Sequence, residues 1–170
     1  STRSQQLITD LLDYTRIGKG QEMKEIDLNQ ILQSVLTDLT VRISETGATI
    51  SSNPLPTIVG QSTNLRLLFQ NLISNAIKFS KPSVKPIVKI DYQKTESEHK
   101  FSVSDNGIGI DPKYQDRIFV IFKRLHGKSE YEGTGIGLAH CKKIIDQYNG
   151  ELWVESEVGK GSTFYFTIPF

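Results

Sequence analysis

One cysteine, one methionine and one tryptophan are spread over 170 residues, and no apolar run approaches the ~20 residues of a membrane-spanning helix. The lone Cys141 excludes an internal disulfide and a cysteine-built metal site; its place on a helical pattern reads as a packed thiol rather than a nucleophile. Charge of one sign is lacking too. Twenty Lys and Arg stand against nineteen Asp and Glu, a net charge of +1, so there is no electrostatic footprint for nucleic acid or an anionic membrane surface. Any bound anion must be held by local groups. With no signal peptide at its start, the expectation is a soluble, cytoplasmic domain that makes no direct membrane contact, although a longer parent protein could carry an anchor. What is present suits one ordinary core: 37% of side chains are hydrophobic and 23% charged.

Residues 1–17 do not read as the start of a domain. Leu7, Ile8, Leu11, Leu12 and Tyr14 form a narrow seam that suits a helical bundle, the tail of a longer helix, or else a helix packed on its own domain. Gly18 and Gly20 break it, and Glu25-Ile26-Asp27 leads into a second helix that Asp27 can cap and that presents Leu28, Ile31, Leu32, Val35, Leu36 and Leu39. Short strands are expected over Ala48–Ser52 and Thr57–Val59, then a strong helix over Ser62–Phe79. Strands follow over Ile87–Lys94 and Lys100–Asp105, then an irregular stretch from Asp111 to Glu132, a helix from Gly137 to Tyr148, and strands over Glu151–Glu155 and Ser162–Ile168. Hairpin-like strands beside helices predict an α+β fold, a two-layer sandwich with helices on one face of a mixed sheet.

Three stretches carry chemistry. In NLISNAIKF the helical period puts Asn71, Asn75 and Lys78 on one narrow stripe, beside the arc of Phe69, Leu72, Ile73 and Ala76. Asparagine is a poor helix former, so two on this helix cost stability unless something pairs with them. An amide oxygen suits Mg²⁺ and a lysine suits phosphate, or the amides bond loop backbone inside the fold. In FSVSDNGIGID, Asp105 shares a strand face with Phe101 and Val103 and therefore points toward the helices. A purine amine is one candidate donor for it, with Gly107 and Gly109 removing Cβ atoms from the path of a flat ring; a tight Asp-Asn-Gly turn is the other reading. In GTGIGLAHCKKII, glycines 133, 135 and 137 directly precede a helix, a backbone able to wrap an anion. It is neither a P-loop nor a dinucleotide fingerprint.

In order, NLISNAIKFS, DNGIGID, IFVIFKRLH, GTGIGLA and GKGSTFYF resemble the N, G1, F, G2 and G3 boxes of sensor histidine kinases, most like the phytochrome-type and hybrid bacterial kinases. Their Bergerat-type nucleotide fold is shared with gyrase and the ninety-kilodalton heat-shock chaperone. The resemblance covers about residues 27 to 170 and implies ATP and Mg²⁺ as cofactors. By it Asn75 would hold the metal, with Asn71 and Lys78 assisting it and the phosphates. Asp105 would bind the adenine amine beside Gly107 and Gly109, and Thr163 would lie near the base. Phe119 and Phe122 would anchor a lid, Lys123 would line it and Arg124 could reach the γ-phosphate. Gly133, Thr134, Gly135, Ile136, Gly137 and Leu138 would cradle the phosphates. Residues 1–18 would be the end of the second dimerisation helix, 19–26 a linker and 27–170 the catalytic domain. The implied partners are the protein's own dimerisation domain, a second copy in the full-length protein and a response-regulator receiver domain.

One departure matters. The family's phospho-accepting histidine lies in an acidic box that nothing here resembles, and His99, His126 and His140 read as structural or surface residues. The fragment is therefore expected to transfer phosphoryl groups without labelling itself. In the ATPase branch of the fold a glutamate at the position of Asn71 activates water; an amide cannot take that proton. Slow hydrolysis and transfer to an incoming nucleophile are expected, the alternative being a catalytically silent, nucleotide-dependent docking module.

Overall fold

In a computed structural model, which describes residues 2–16, 22–120 and 137–170, the chain runs α1 (Thr2–Arg16), β1 (Lys24–Asp27), α2 (Leu28–Asp38), α3 (Thr40–Thr46), β2 (Thr49–Ser52) and β3 (Thr57–Gly60). It continues through α4 (Ser62–Lys78), β4 (Ile87–Lys94), β5 (Glu98–Asp105), a 3₁₀ turn (Pro112–Tyr114), α5 (Gly137–Gln147), β6 (Leu152–Glu157) and β7 (Gly161–Pro169). Five strands form a mixed sheet in the order β2-β4-β5-β7-β6, with β2 parallel to β4 and the other neighbours antiparallel. The α+β, two-layer architecture expected from the pattern is the one observed.

Strand alternation fixes which face carries the core. Phe101 and Val103 on β5 and Phe164, Phe166 and Ile168 on β7 are buried. They meet Leu65, Leu68, Phe69, Leu72, Ile73 and Ile77 of α4. Phe101 and Phe166 stack with centroids 4.8 Å apart, and Phe69 stands edge-on to both, the arrangement that aromatic quadrupoles favour. Residues of opposite parity face away from the helices: Trp153 stacks on Tyr165 at 5.3 Å, with the Lys100 ammonium 5.0 Å from the tyrosine ring. α4 touches α2 on one flank and α5 on the other, which leaves its Asn71 stripe between them.

Several elements differ from expectation. Glu25–Asp27 does not simply lead into a helix: β1 pairs antiparallel with β3 in a separate two-stranded sheet, sealed by buried Ile26 and Ile58. Asp27 then caps α2 by accepting from the Asn29 amide at 2.9 Å. The second helix stops at Leu39 and restarts as α3, because Thr40 and Val41 are both β-branched and the Thr40 hydroxyl bonds back to the Thr37 carbonyl at 2.7 Å. The apolar seam of α1 is divided. Leu7, Asp10, Leu11 and Tyr14 are half-buried while Ile8 and Leu12 remain exposed, and α1 packs on α5 of its own chain. Among the described residues no helix is long and apolar enough to cross a membrane.

Candidate functional site

The turn after β5 is stitched to three other segments. The Ile108 amide donates to the Phe79 carbonyl at the end of α4, and the Gly159 amide to the Ile108 carbonyl. Asn106 closes the third side by accepting from the Ile87 amide at 2.8 Å and donating to the Lys85 carbonyl at 3.2 Å. So close is this packing that a Cβ on Gly107 would collide with the Phe79 carbonyl oxygen, and one on Gly109, whose φ is +75°, with the Glu157 carbonyl. The two glycines therefore let backbone approach backbone; the sequence-based reason, room for a ring, is replaced by this one.

Asp105 ends inside the junction. Its Oδ1 accepts from the Gly107 amide at 2.9 Å and from the Ser162 amide at 3.2 Å, while Oδ2 has no hydrogen bond among the described residues. Burial pushes the carboxyl up to about 6, against the downward pull of those two amides. One oxygen is thus fixed by the fold and the other is left to accept. Ser162 is the residue that sequence reasoning missed. Thr163, expected near the base, lies on the other face of the sheet, paired with Ser104 and sharing a hydroxyl contact with it at 3.0 Å. Strand parity explains the correction: 162 shares the helix-side face with buried Phe164 and Phe166, and 163 does not.

On α4 the stripe is polar and under-satisfied. Asn71 Nδ2 is buried without a partner among the described residues, and the space a Cβ would take on Gly137 lies 3.3 Å from Asn71 Oδ1. The first residue of α5 therefore abuts this amide. An orphaned buried donor on an amide that lies beside a helix N-terminus, where the positive dipole end gathers, fits an anion. Asn75, four residues on, is half-buried, and its amide bonds no described residue. Lys78 closes the stripe, its ammonium 5.9 Å from the Phe79 ring. Between Ser74 and α3 lies a second residue the sequence did not disclose: Arg42 Nη1 donates to Ser74 Oγ at 3.1 Å, bringing a guanidinium beside the stripe. Only the tertiary approach of α3 could reveal it. From Asn71 to Phe79 the helix rises about 12 Å, a span that admits a base and sugar between carboxylate and anion cradle.

Leu138 packs against the core behind the start of α5. Phe119 meets Phe164 edge-on at 6.2 Å and Ile118 is buried, which fastens the near end of the expected lid to β7. Phe122, Lys123, Arg124, Gly133, Thr134, Gly135, Ile136 and His126 lie outside the described residues. Cys141 is fully buried, and burial pushes its thiol far above the usual range, which suits packing and not nucleophilic attack. No cluster of three or more metal-ligating His, Cys, Asp and Glu occurs among the described residues.

The pattern of the family described as Histidine kinase-, DNA gyrase B-, and HSP90-like ATPase matches residues 60–170. The chain is 52% identical to cyanobacterial phytochrome A of Nostoc sp. (strain PCC 7120) over 97% of its own length and 22% of that protein. It is 37% identical to the adaptive-response sensory kinase SasA of Synechococcus elongatus, over 97% of its length and 44% of that kinase. Among solved structures, full-length ShkA in complex with AMPPNP superposes with a TM-score of 0.81 at 29% identity, covering 96% of this chain and 35% of that one. The chain thus spans about a fifth to under a half of the relatives it matches.

Proposed function

The chain belongs to the histidine kinase-, DNA gyrase B- and HSP90-like ATPases, and from that premise we propose that it is the ATP-binding catalytic domain of a two-component sensor histidine kinase. It passes the γ-phosphoryl group of ATP to a histidine on a dimerisation bundle, for relay to a response-regulator aspartate. The observation that carries this reading is the pairing of two unfinished groups: Asp105 Oδ2, the oxygen of a desolvated carboxyl that has no hydrogen bond among the described residues, and Asn71 Nδ2, a buried donor with no acceptor among them. An adenine amine completes the first and a phosphate oxygen the second. The AMPPNP-bound ShkA relative supports the ligand class.

The chain's own residues divide the work. Asp105 selects adenine, because its free oxygen accepts from the amine and would oppose the O6 acceptor of guanine. Asn71, Lys78 and the start of α5 orient the phosphates, with Lys123, Arg124 and the glycine turn 133–136 as further contacts. Asn75, with Asn71 beside it, would hold Mg²⁺, which when bound neutralises phosphate charge. No carboxylate stands at position 71 to take a proton from water, so the site positions and neutralises rather than hydrolyses. Residues 1–18 act as the end of the second bundle helix, with a second copy of the full protein supplying the dimer.

With γ-labelled ATP and Mg²⁺, the 170-residue chain is expected to bind nucleotide and take no acid-labile label, while a separately supplied bundle bearing a histidine in an acidic box becomes labelled weakly. Separation forfeits the effective concentration a linker provides. Two of the chain's three histidines are committed elsewhere: His99 Nδ1 lies 2.6 Å from the Tyr92 hydroxyl and its ring stands edge-on to Phe170, and His140 is 2% exposed. Label on this chain alone overturns donor-only transfer. Absence of label on a competent bundle at high concentration shifts the reading to a silent docking module.

A further inference from the structure

The two amides that hold Asp105 Oδ1 come from different segments: Gly107 sits on the turn after β5 and Ser162 at the start of β7. Segments that converge on one oxygen must be held to each other, and Ser156 of β6 does this with a single hydroxyl. Its Oγ accepts from the Ile110 amide, three residues beyond Gly107, at 2.8 Å. It donates to the Gly161 carbonyl at 2.9 Å and lies 2.7 Å from the Ser162 hydroxyl. With the Ser156 proton on that carbonyl, Ser162 donates in the last contact, and the one donor and both acceptor sites of Ser156 are filled. Gln115 closes the outside of the clasp, its Nε2 donating to the Ile110 carbonyl at 3.1 Å and the Ser156 carbonyl at 3.3 Å.

The Gly161 carbonyl and the Ser162 N–H are opposite ends of one peptide plane. A bond to that carbonyl therefore helps set where the Ser162 N–H points, which is at Asp105. The glycine is needed for the approach: its φ is +112°, and a Cβ there would lie 2.1 Å from the Asp105 carbonyl oxygen. We propose that Ser156 is a positioning residue for base recognition, its hydroxyl holding the Gly107 and Ser162 amides together on Asp105 Oδ1 so that Oδ2 is presented, ionised, to the adenine amine. The proposal rests on the nucleotide reading above, but the hold on the carboxylate belongs to the nucleotide-free chain as well. Amides that donate to a carboxylate favour its charged form. Removing the hydroxyl leaves the Ile110 amide without its acceptor and loosens both donors, so the carboxyl rises above about 6. The charged side chains on the segments packed around this junction are Lys78 of α4, Lys85 before β4, and Glu157 and Lys160 of the β6–β7 turn, the last two 3.6 Å apart and exposed. Burial and the two amides, not these charges, set the ionisation of Asp105.

Ser156→Ala is expected to raise the pH midpoint of the Asp105 carboxyl by about one unit, read from its carbon resonance by NMR on the nucleotide-free chain. ATP affinity follows the same curve: about fivefold below wild type at pH 6, nearly equal to it at pH 8.5. Ser156→Thr keeps the hydroxyl and is expected to restore both the midpoint and the affinity at pH 6. Gln115→Ala, which opens the clasp from outside and leaves Ser156 in place, is expected to move the midpoint in the same direction by less. A lower melting temperature in Ser156→Ala with an unmoved midpoint makes the serine merely structural and overturns the proposal. Equal shifts in Ser156→Ala and Ser156→Thr overturn the role of the hydroxyl. A wild type that binds no ATP, beside a midpoint that moves as expected, overturns the nucleotide reading while the hold of Ser156 on Asp105 stands.

Discussion

Asp105→Asn is expected to make the protein more stable while removing its affinity for ATP. The stability half follows from burial. The carboxyl is pushed up to about 6 from 3.8 because the junction of β5, α4 and the β6–β7 turn withholds water from its ionised form. A native pKa above the unfolded one means that the folded state binds the extra proton between about pH 4 and 6. Stability is therefore highest below about pH 4, falls as pH rises through that window, and carries the full penalty above about 6. Two pKa units set a ceiling of about 3 kcal/mol. An asparagine keeps the Oδ1 acceptor for the Gly107 and Ser162 amides and escapes the penalty, so the melting temperature at pH 7 is expected to rise by a few degrees. Acidification toward pH 4 closes the gap. The binding half follows from the free oxygen, which becomes an NH₂ group facing the adenine amine. Losing a charge-assisted bond and opposing two donors costs about 3–4 kcal/mol, about a hundredfold to a thousandfold in affinity. Wild-type affinity should also decline below about pH 6 as Oδ2 takes up a proton. Calorimetric titration with ATP, beside thermal scans at pH 4 and 7, measures both halves. A less stable variant at pH 7, or one that keeps its preference for ATP over GTP, removes the carboxylate from this role.

The sheet and its long helix were legible because their periods are strong and their lengths ordinary. In FSVSD the alternation alone turned Asp105 toward the helices, and in NLISNAIKF the 100° step alone aligned 71, 75 and 78. What the sequence withheld depends on tertiary approach. β1 is four residues long and exists because β3, some thirty residues away, offers it an edge. Arg42 joins the stripe only because α2 breaks at Leu39 and sends α3 toward Ser74. The Thr163 assignment missed by one residue, and in a strand one residue is the whole difference between the two faces. Gly107 and Gly109 were rightly singled out for a missing Cβ, yet what fills the space is the chain's own carbonyls. Likewise, a seam of Leu7, Ile8, Leu11 and Leu12 cannot say whether its partner is another helix bundle or α5; half of it faces each choice, since Leu7 and Leu11 pack inward and Ile8 and Leu12 do not.

The two asparagines of α4 look alike in sequence and are expected to separate in a binding assay. Asn71 has a buried Nδ2 with no partner among the described residues, on an amide that lies beside the start of α5, and a donor suits a phosphate oxygen whether or not metal is present. Asn75 is half-buried and its side chain makes no hydrogen bond to any described residue, so its amide oxygen is available to a hard cation, which prefers neutral or anionic oxygen ligands. Asn75→Ala should therefore weaken Mg·ATP by about 1.5–3 kcal/mol, the range for bonds to charged groups, about tenfold to more than a hundredfold, and leave metal-free ATP nearly unaffected. Asn71→Ala should weaken both forms alike. Thermal scans add an independent readout: Asn71→Leu fills the same volume without a buried orphan donor, and removing such a group is expected to raise stability by about 1–3 kcal/mol even as binding is lost. Titration of each variant with ATP in excess Mg²⁺ and in excess chelator separates the roles. Equal losses for Asn75→Ala in both conditions would take the metal away from that residue, and a loss for Asn71→Ala confined to Mg²⁺ would exchange the two assignments.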